Sequence, residues 1–470
     1  MNTALINTNM IKPPIAPVGL EYIAEALKKA GHHVDLLDLC WEEDPDIAVK
    51  GFFDKKTCNL VGLTLRNTDD CVFTSRRSFL DGFSSIVSAV RDQTDALIVI
   101  GGVGFSTMPE KVMELCGADA GIWGDGEAVF TEIANRLEEK LDWLDLPNLV
   151  VCRNGRWQRN PASAGSLINL PQMNRHWVDN RRYFKEGGQV GFETKRGCAE
   201  HCIYCADPLA KGETIRVRPP EAVVYELKRL LGSGIDHMHT CDSEFNIPLR
   251  HALEVCGSII SNGLGSRLRW YAYCSPVPFT SELAGLMREA GCAGINFGVD
   301  SGDAGMLKRL NRNFTPDDIL VSARYCRNVG IAVMLDLLLG SPGETEESVA
   351  RTVELMRRVE AAQIGVSVGV RVYPGTVLEK QVGSGELKNG LVGGDDRADP
   401  VFFLEPGVSD FIFELLDKQI GDDRHFFFFD PSKPERNYNY NSNQRLVDAI
   451  GEGYRGAYWD ILRRYSPKTR

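Results

Sequence analysis

Over the first 140 residues, short apolar runs alternate with amphipathic stretches, and this alternation restricts the fold more than any other feature. The runs read as strands at 4–6, 34–39, 60–65, 96–100 and 121–123. Helical faces fall between them: Leu20, Ile23, Ala24 and Leu27, then residues 78–90, then Val129, Ile133 and Leu137. Thr107 and Glu110 have the spacing of a capping box at a helix start. Strands alternating with helices predict a parallel sheet covered on both faces. Ligands of such a sheet sit at the carboxyl ends of its strands. There the chain carries Leu65-Arg66-Asn67-Thr68, Gly101-Gly102-Val103-Gly104 and Gly124-Asp125-Gly126-Glu127. These glycines either make tight turns or let backbone N–H groups approach a ligand, and the sequence leaves both readings open. No GxGxxG follows the first strand, so a dinucleotide fingerprint is absent.

The chain has 470 residues, length for two to four domains. Apolar residues make up 43%, which excludes disorder as the main state. Lys and Arg number 53 against 64 Asp and Glu, a formal charge of −11. That balance argues against a nucleic-acid binder driven by phosphate neutralisation. The pairs Arg76-Arg77, Arg181-Arg182 and Arg357-Arg358 read as solvated surface. No apolar stretch reaches the ~18–20 residues of a membrane span. The start, MNTALINTNMIKPP, has no positive region before an apolar run, so the expected location is the cytoplasm. Thirteen scattered cysteines, an odd number, do not form a secreted disulfide framework.

Residues 141–187 read as a connector with a small hairpin near 149–157. Cys198, Cys202 and Cys205 follow, spaced Cys-x3-Cys-x2-Cys. Three thiolates on one loop can converge on one face of a cluster. A closed zinc or ordinary iron–sulfur site takes four protein ligands, so three leave one iron open to an external molecule. Zinc with His201 as fourth ligand, or inert thiols, are the alternatives.

With Tyr204 before the last cysteine, this loop resembles the signature of the radical S-adenosylmethionine (SAM) superfamily. The resemblance continues through Asp242-Ser243-Glu244, the run 294–302 ending at Asp300-Ser301-Gly302, the run 331–340 with Ser341-Pro342-Gly343-Glu344, and the run 366–372. It implies SAM contacts from Tyr204, Ala206, Asp242, Ser243, Glu244, Asp300, Ser301, Gly340 and Arg371. Two departures stand out: Asp-Ser-Glu replaces a Gly-Gly-Glu, and Asp300 stands where relatives commonly carry Glu.

An alternating domain before such a core is similar to the cobalamin-binding branch of the superfamily. This implies cobalamin contacts from Pro14, Leu65, Arg66, Asn67, Thr68, Gly101, Gly102, Val103, Gly104, Gly124, Asp125, Gly126 and Glu127. No Asp-x-His-x-x-Gly occurs, and His32 and His33 lie at the wrong end of the sheet. The implied cobalamin is base-off, without a histidine ligand, its lower face against Leu65, Arg66 and Asn67. An ion pair of Arg66 with Asp69 or Asp70 is the competing reading.

The fold expected is α/β. A Rossmann-like cobalamin-binding domain spans 1–140, the connector 141–187, and a partial (β/α)6 TIM-type radical SAM barrel 188–380. A small α+β region, 381–470, shapes the substrate pocket. The function implied is reductive cleavage of SAM at a 4Fe–4S cluster to a 5′-deoxyadenosyl radical. Methylation of an unactivated carbon of a small molecule through methylcobalamin then follows. An oxidative cyclase or ring-rearranging enzyme is the alternative, ahead of a non-catalytic cobalamin or cluster sensor. A methylthiotransferase needs further amino-terminal cysteines, and Cys40, Cys58, Cys71 and Cys116 are scattered. The partners implied are a small-molecule substrate and an external one-electron donor of flavodoxin or ferredoxin type, with no nucleic acid and no membrane span. Tyr271 and Tyr273 share a strand face and are catalytic candidates, with core packing as the competing role. His237 and His239 read as structural. Residues 426–429 read as a buried strand and 437–441 as a loop that could close over the barrel.

Overall fold

The computed structural model describes residues 1–163, 165–428 and 439–465. Seven strands build the first sheet: β1 (Asn2–Asn7), β2 (His33–Asp38), β3 (Leu60–Thr64), β4 (Leu97–Gly101), β5 (Ala120–Ile122), β6 (Leu149–Arg153) and β7 (Arg156–Arg159). Their order is β2-β1-β3-β4-β5-β6-β7. The first five are parallel. The hairpin β6–β7 joins antiparallel at the edge. Side chains alternate across the pleat, so Ala4 and Ile6 enter the core on one face and Leu5 the core on the other.

The helix after β4 starts earlier than the Thr107–Glu110 spacing predicts. It begins at Val103, directly after Gly102, and a second helix, Pro109–Cys116, starts at Pro109. Proline lacks the N–H that a continuous helix needs there. Thr107 Oγ1 donates backwards to the Gly104 carbonyl, 2.7 Å away, and caps nothing.

The second sheet is a partial barrel. The connecting strands are β8 (Val190–Phe192), β9 (Lys195–Arg196), β10 (Arg216–Val217), β11 (His237–Thr240), β12 (Arg269–Cys274), β13 (Cys292–Asp300), β14 (Ala332–Leu339), β15 (Gln363–Val368), β16 (Val370–Arg371), β17 (Leu391–Val392), β18 (Phe402–Phe403) and β19 (Phe426–Phe428). The barrel order is β19-β15-β14-β13-β12-β11-β8, all parallel. The sequence predicts six strands, and β19 adds a seventh. Phe426 and Phe428 are buried and Phe427 half-buried, the period of a strand. Phe429 and residues 437–438 lie outside the described residues.

The predicted sixth strand, 366–372, is broken. Gly369 has φ +77°, and any side chain there would meet the Phe73 ring at 2.7 Å. The chain turns out of the barrel at this point, and Val370 and Arg371 pair with β18 instead.

The open side of the barrel is closed from the carboxy-terminal region. Helices Gln444–Gly451 and Tyr458–Arg464 lie beside Asn180–Gly187, with Gly188 tight against Ile450 and Ile461. Trp459 reaches the barrel interior, its Nε1 donating to Asn296 Oδ1 at 2.6 Å.

The two sheets are joined by buried ion pairs. Arg175 in the connector donates to Glu21 (2.7 Å) and Glu226 (2.6 Å), and Arg218 donates to the other Glu226 oxygen (2.7 Å). Removing one partner of such a group leaves an uncompensated buried charge.

Candidate active site between the two sheets

The cysteine loop runs from β9 to β10, which pair antiparallel and pinch it shut. Gly197 has φ +91°, and a side chain there would overlap the Thr214 carbonyl. Only glycine therefore lets the chain turn into the loop. The Cys198 N–H donates to the Gly212 carbonyl at 3.0 Å and that of Cys205 to Cys202 at 3.2 Å. Burial pushes the Cys202 thiol up to about 11, and burial also raises Cys198 and Cys205. Each thiol lies within electrostatic reach of another of the three.

Among the described residues, no three His, Cys, Asp or Glu side chains gather around a single ion. His201 is exposed. The Glu244 Oε2 atom is buried with no hydrogen-bond partner, and burial pushes this carboxyl up to about 8. An orphaned buried oxygen within electrostatic reach of the Cys198 thiol is a group left for a ligand to satisfy.

Above the loop lies a chamber of about 920 Å3. One wall is the carboxyl end of the first sheet, with Arg66, Asn67, Gly101, Gly102, Val103 and residues 124–127. The other is the barrel mouth, with Asp242, Ser243, His239, Tyr273 and Asn296. Tyr440, Tyr458 and Trp459 reach it from the carboxy-terminal region.

Among the described residues, no carboxylate pairs with Arg66. Asp69 pairs with Arg371 (3.0 Å), and Asp70 accepts from Ser75 Oγ (2.6 Å). The ion-pair reading of Arg66 is thereby corrected. Its guanidinium faces Tyr458, Cys241, Tyr273 and Cys71, and burial lowers its pKa.

Not every loop residue faces the chamber. Gly104 packs against the backbone of Asn67, where a side chain would collide, and Gly102, which lines the chamber, backs onto Leu65. Leu65 is core, Thr68 Oγ1 bonds Asp69 (2.9 Å), and the Pro14 carbonyl abuts Gly187. Asp125 and Glu127 line the chamber but are held by arginines. Arg196 grips Glu127 with two N–H groups (3.0 and 2.6 Å) and lies 3.3 Å from Asp125. Arg216 also pairs with Asp125. Arg196 directly precedes the cysteine loop, so these carboxylates tie the first sheet to it.

The predicted SAM residues divide in the same way. Asp242 spends both oxygens on Thr194 (2.9 and 2.7 Å) and the Lys195 N–H (3.2 Å). Ser301 Oγ is buried against Thr352 at 3.0 Å. Gly340 has φ +80° and packs under Leu404. Arg371 leaves the barrel with its strand and binds Asp69 and the carbonyls of Val372 and Val401 (2.7 and 2.9 Å). For Arg371 the expectation of a SAM contact is corrected to an inter-domain clamp. Ala206 is buried at the foot of the loop. Ser243 bonds Asp207 at 2.5 Å, and Tyr204 Oη donates to Asp300 at 2.7 Å.

Tyr271 also has a structural role. It is buried, donates to Asp460 at 2.9 Å and anchors the last helix. Tyr273, 42% exposed, lines the chamber. His239 lines it too, contrary to the structural reading, while His237 pairs with Asp236 (2.8 Å). Sequence reasoning missed Arg312, whose Nη1 lies 3.0 Å from Cys202 Sγ. It also missed Asn296 and Trp459, because no local motif marks any of the three.

Residues 192–356 match the Radical SAM superfamily and residues 5–134 the B12 binding domain. Tryptophan 2-C-methyltransferase of Streptomyces laurentii is 31% identical, over 92% of this chain and 84% of the relative. The chain belongs to the cobalamin-dependent radical SAM methyltransferases. The solved radical SAM methyltransferase TsrM of Kitasatospora setae, with tryptophan substrate and the SAM analog aza-SAM bound, is 29% identical. It superposes with a TM-score of 0.91 over 98% of this chain and 97% of that one. The same enzyme with cobalamin and a [4Fe-4S] cluster gives a TM-score of 0.86. The fold is shared further with OxsB, a cobalamin-dependent SAM radical enzyme, at 16% identity over 89% of this chain and a TM-score of 0.73.

A radical SAM methyltransferase of this branch uses a 4Fe–4S cluster, SAM and cobalamin, and the chamber fits that set. Residues flanking the thiol loop, Arg196, Asp207 and Lys211, line it on one side and the first-sheet loops on the other. Among the described residues, no helix is long and apolar enough to cross a membrane.

Proposed function

We propose that this enzyme transfers a methyl group from SAM to a carbon of an aromatic small molecule related to tryptophan. The single observation that carries the reading is the shared chamber. Asp242 and Ser243 of the expected SAM residues and Arg66, Asn67, Gly101, Gly102, Val103 and residues 124–127 of the expected cobalamin residues line it, together with Arg196 and Asp207 on either flank of the cysteine loop. The tryptophan in the names of the relatives supports the substrate class. So does the rim of Tyr273, Tyr440, Tyr458 and Trp459, which offers flat apolar faces to a ring.

Cys198, Cys202 and Cys205 hold the cluster. Tyr204, Ser243, Glu244 and Asp300 form the SAM side. Arg66, Asn67, Gly101, Gly102, Val103, Gly124 and Gly126 would hold the cobalamin, with the unpaired Arg66 guanidinium available to it. When bound, the cluster supplies single electrons, SAM a sulfonium methyl group and cobalamin a methyl carrier. An external flavodoxin- or ferredoxin-type protein supplies the electrons, in the cytoplasm.

The chain's own task is to orient the substrate, exclude water and take up a proton. Asn296 is fixed from both sides: its Nδ2 donates to Asp336 at 3.0 Å and its Oδ1 accepts from Trp459. It forms a rigid polar point on the floor. When the methyl of SAM is transferred as a cation, the carbon-bound hydrogen it replaces leaves as a proton. His239 Nδ1 lies 2.8 Å from the Thr240 carbonyl, which can only accept, so Nε2 is the free acceptor. Burial lowers the pKa of His239, so the ring is neutral near pH 7 and able to take that proton.

Anaerobic incubation of the reconstituted enzyme with methyl-labelled SAM and tryptophan tests the reading. Label in a carbon-methylated product supports it, and labelled product absent from tryptophan and its ring analogues contradicts it. His239→Gln should lower turnover by ~10²-fold while cofactor content is unchanged.

A further inference from the structure

Three consecutive residues, Asn311, Arg312 and Asn313, clasp the cysteine loop from outside. Asn311 Nδ2 donates to the His201 carbonyl at 2.8 Å. Asn313 Nδ2 donates to Glu200 Oε1 at 3.1 Å. Between them, Arg312 Nη1 donates to Cys202 Sγ at 3.0 Å and to Tyr204 Oη at 3.3 Å. The rest of the fork is equally committed. Nη2 donates to the Gly298 carbonyl at 2.5 Å, and Nε lies 3.4 Å from Asp300 Oδ2. The guanidinium also lies over the Phe314 ring, 4.9 Å from its centroid.

This is not a surface arginine. Its side chain is 8% exposed, so salt does not screen its charge. A guanidinium stays protonated under all working conditions and can aim separate N–H groups at sulfur, hydroxyl, carbonyl and carboxylate at once. Lysine can match the charge but not the fork.

We propose that Arg312 is a positioning residue that sets the electron affinity of the cluster through the Cys202 sulfur. The inference rests on Cys202 being a cluster ligand, as argued above. Iron–sulfur potentials respond to net charge and to hydrogen bonds on the sulfurs. When one electron passes from the external low-potential donor to the cluster, the cluster gains one negative charge. No proton moves and no bond breaks. A fixed positive charge with an N–H on the sulfur favours that reduced form and makes the potential less negative. Asp300, on the other side of the guanidinium, opposes this effect.

The test is an EPR-monitored redox titration of the full-length, anaerobically reconstituted protein without SAM, with iron and sulfide measured in parallel. Arg312→Gln should shift the midpoint to a more negative potential at unchanged iron content, and Arg312→Lys should fall between. Asp300→Asn should shift it the opposite way. Asp300 has φ +59°, a conformation asparagine tolerates, so this variant keeps the backbone. Opposite shifts from the two charge removals support the inference, because a merely structural role moves neither in a sign-dependent way. Equal midpoints in wild type and Arg312→Gln overturn it. If Arg312→Gln fails to take up a cluster, Asp300→Asn decides alone, and an unchanged or more negative midpoint overturns the inference. A wild-type protein that binds no iron instead refutes the cysteine assignment, and the inference falls with it.

Discussion

The two walls of the chamber handle charge differently. Behind the residues 124–127, carboxylates and arginines neutralise one another: Glu127 and Asp125 with Arg196, Asp125 again with Arg216, and Glu193 with Arg196 at 2.9 Å. Facing the chamber from the neighbouring loop, Arg66 has no such partner among the described residues, and in the loop after β11 Glu244 keeps an unbonded oxygen. Paired groups position the loops. Unpaired groups are left for a ligand to satisfy, since a buried polar atom without a partner costs ~1–3 kcal/mol until something binds. The same rule separates Tyr271 from Tyr273 and Asp242 from Glu244.

The largest break comes at the cluster loop. Cys202→Ala should abolish iron uptake and all turnover while cobalamin remains bound, measured by iron analysis and visible absorption. Loss of both cofactors together would mean the two walls are not separate binding units.

Next is the contrast between arginines. Arg196→Ala strands Glu127 and Glu193, while Asp125 keeps Arg216, and should cost about 3–5 kcal/mol in denaturant unfolding. Arg66→Ala removes a half-buried charge that has no ion-pair partner among the described residues, so stability should hold or rise while cobalamin affinity falls. Equal destabilisation of the two variants would erase the distinction.

A smaller effect concerns Glu344, in the loop after β14. Burial pushes its carboxyl up to about 7, against the bonds from Ser348 and the Gly340 N–H. The folded state therefore holds its proton more tightly than the unfolded chain. Its contribution is fully present below the ordinary glutamate pKa and is lost as pH rises towards about 7. The loss is of order 3 kcal/mol. Glu344→Gln should flatten that part of the stability–pH curve of the cofactor-free protein.

The smallest change is at the tyrosines. Tyr271→Phe should cost about 1 kcal/mol by removing one donor from Asp460, which keeps Arg463 and Arg464. Tyr273→Phe should leave the unfolding midpoint unchanged and act, if at all, on turnover.

Much of this architecture is legible from local sequence because local sequence specifies it. The βα alternation, the polar strand ends and the three cysteines within eight residues all depend on near neighbours. The residues that escaped depend on distant ones. Arg312 reaches Cys202 only because its segment folds back onto the loop. Trp459 enters the barrel because Gly456 and Gly188 let the chain pass. The Thr107 capping pattern failed because Pro109 imposes its own helix start. Arg371 left the barrel because Gly369 turns the strand, and no periodicity reveals that Phe73 waits on the other side.

The central claim is that one chamber joins SAM, a cluster and cobalamin for carbon methylation. The most direct test measures transfer of labelled methyl from SAM to substrate carbon by the anaerobic protein, with each cofactor supplied or withheld. The account predicts labelled product only when cluster and cobalamin are both present. Undiminished product from protein lacking cobalamin would contradict it.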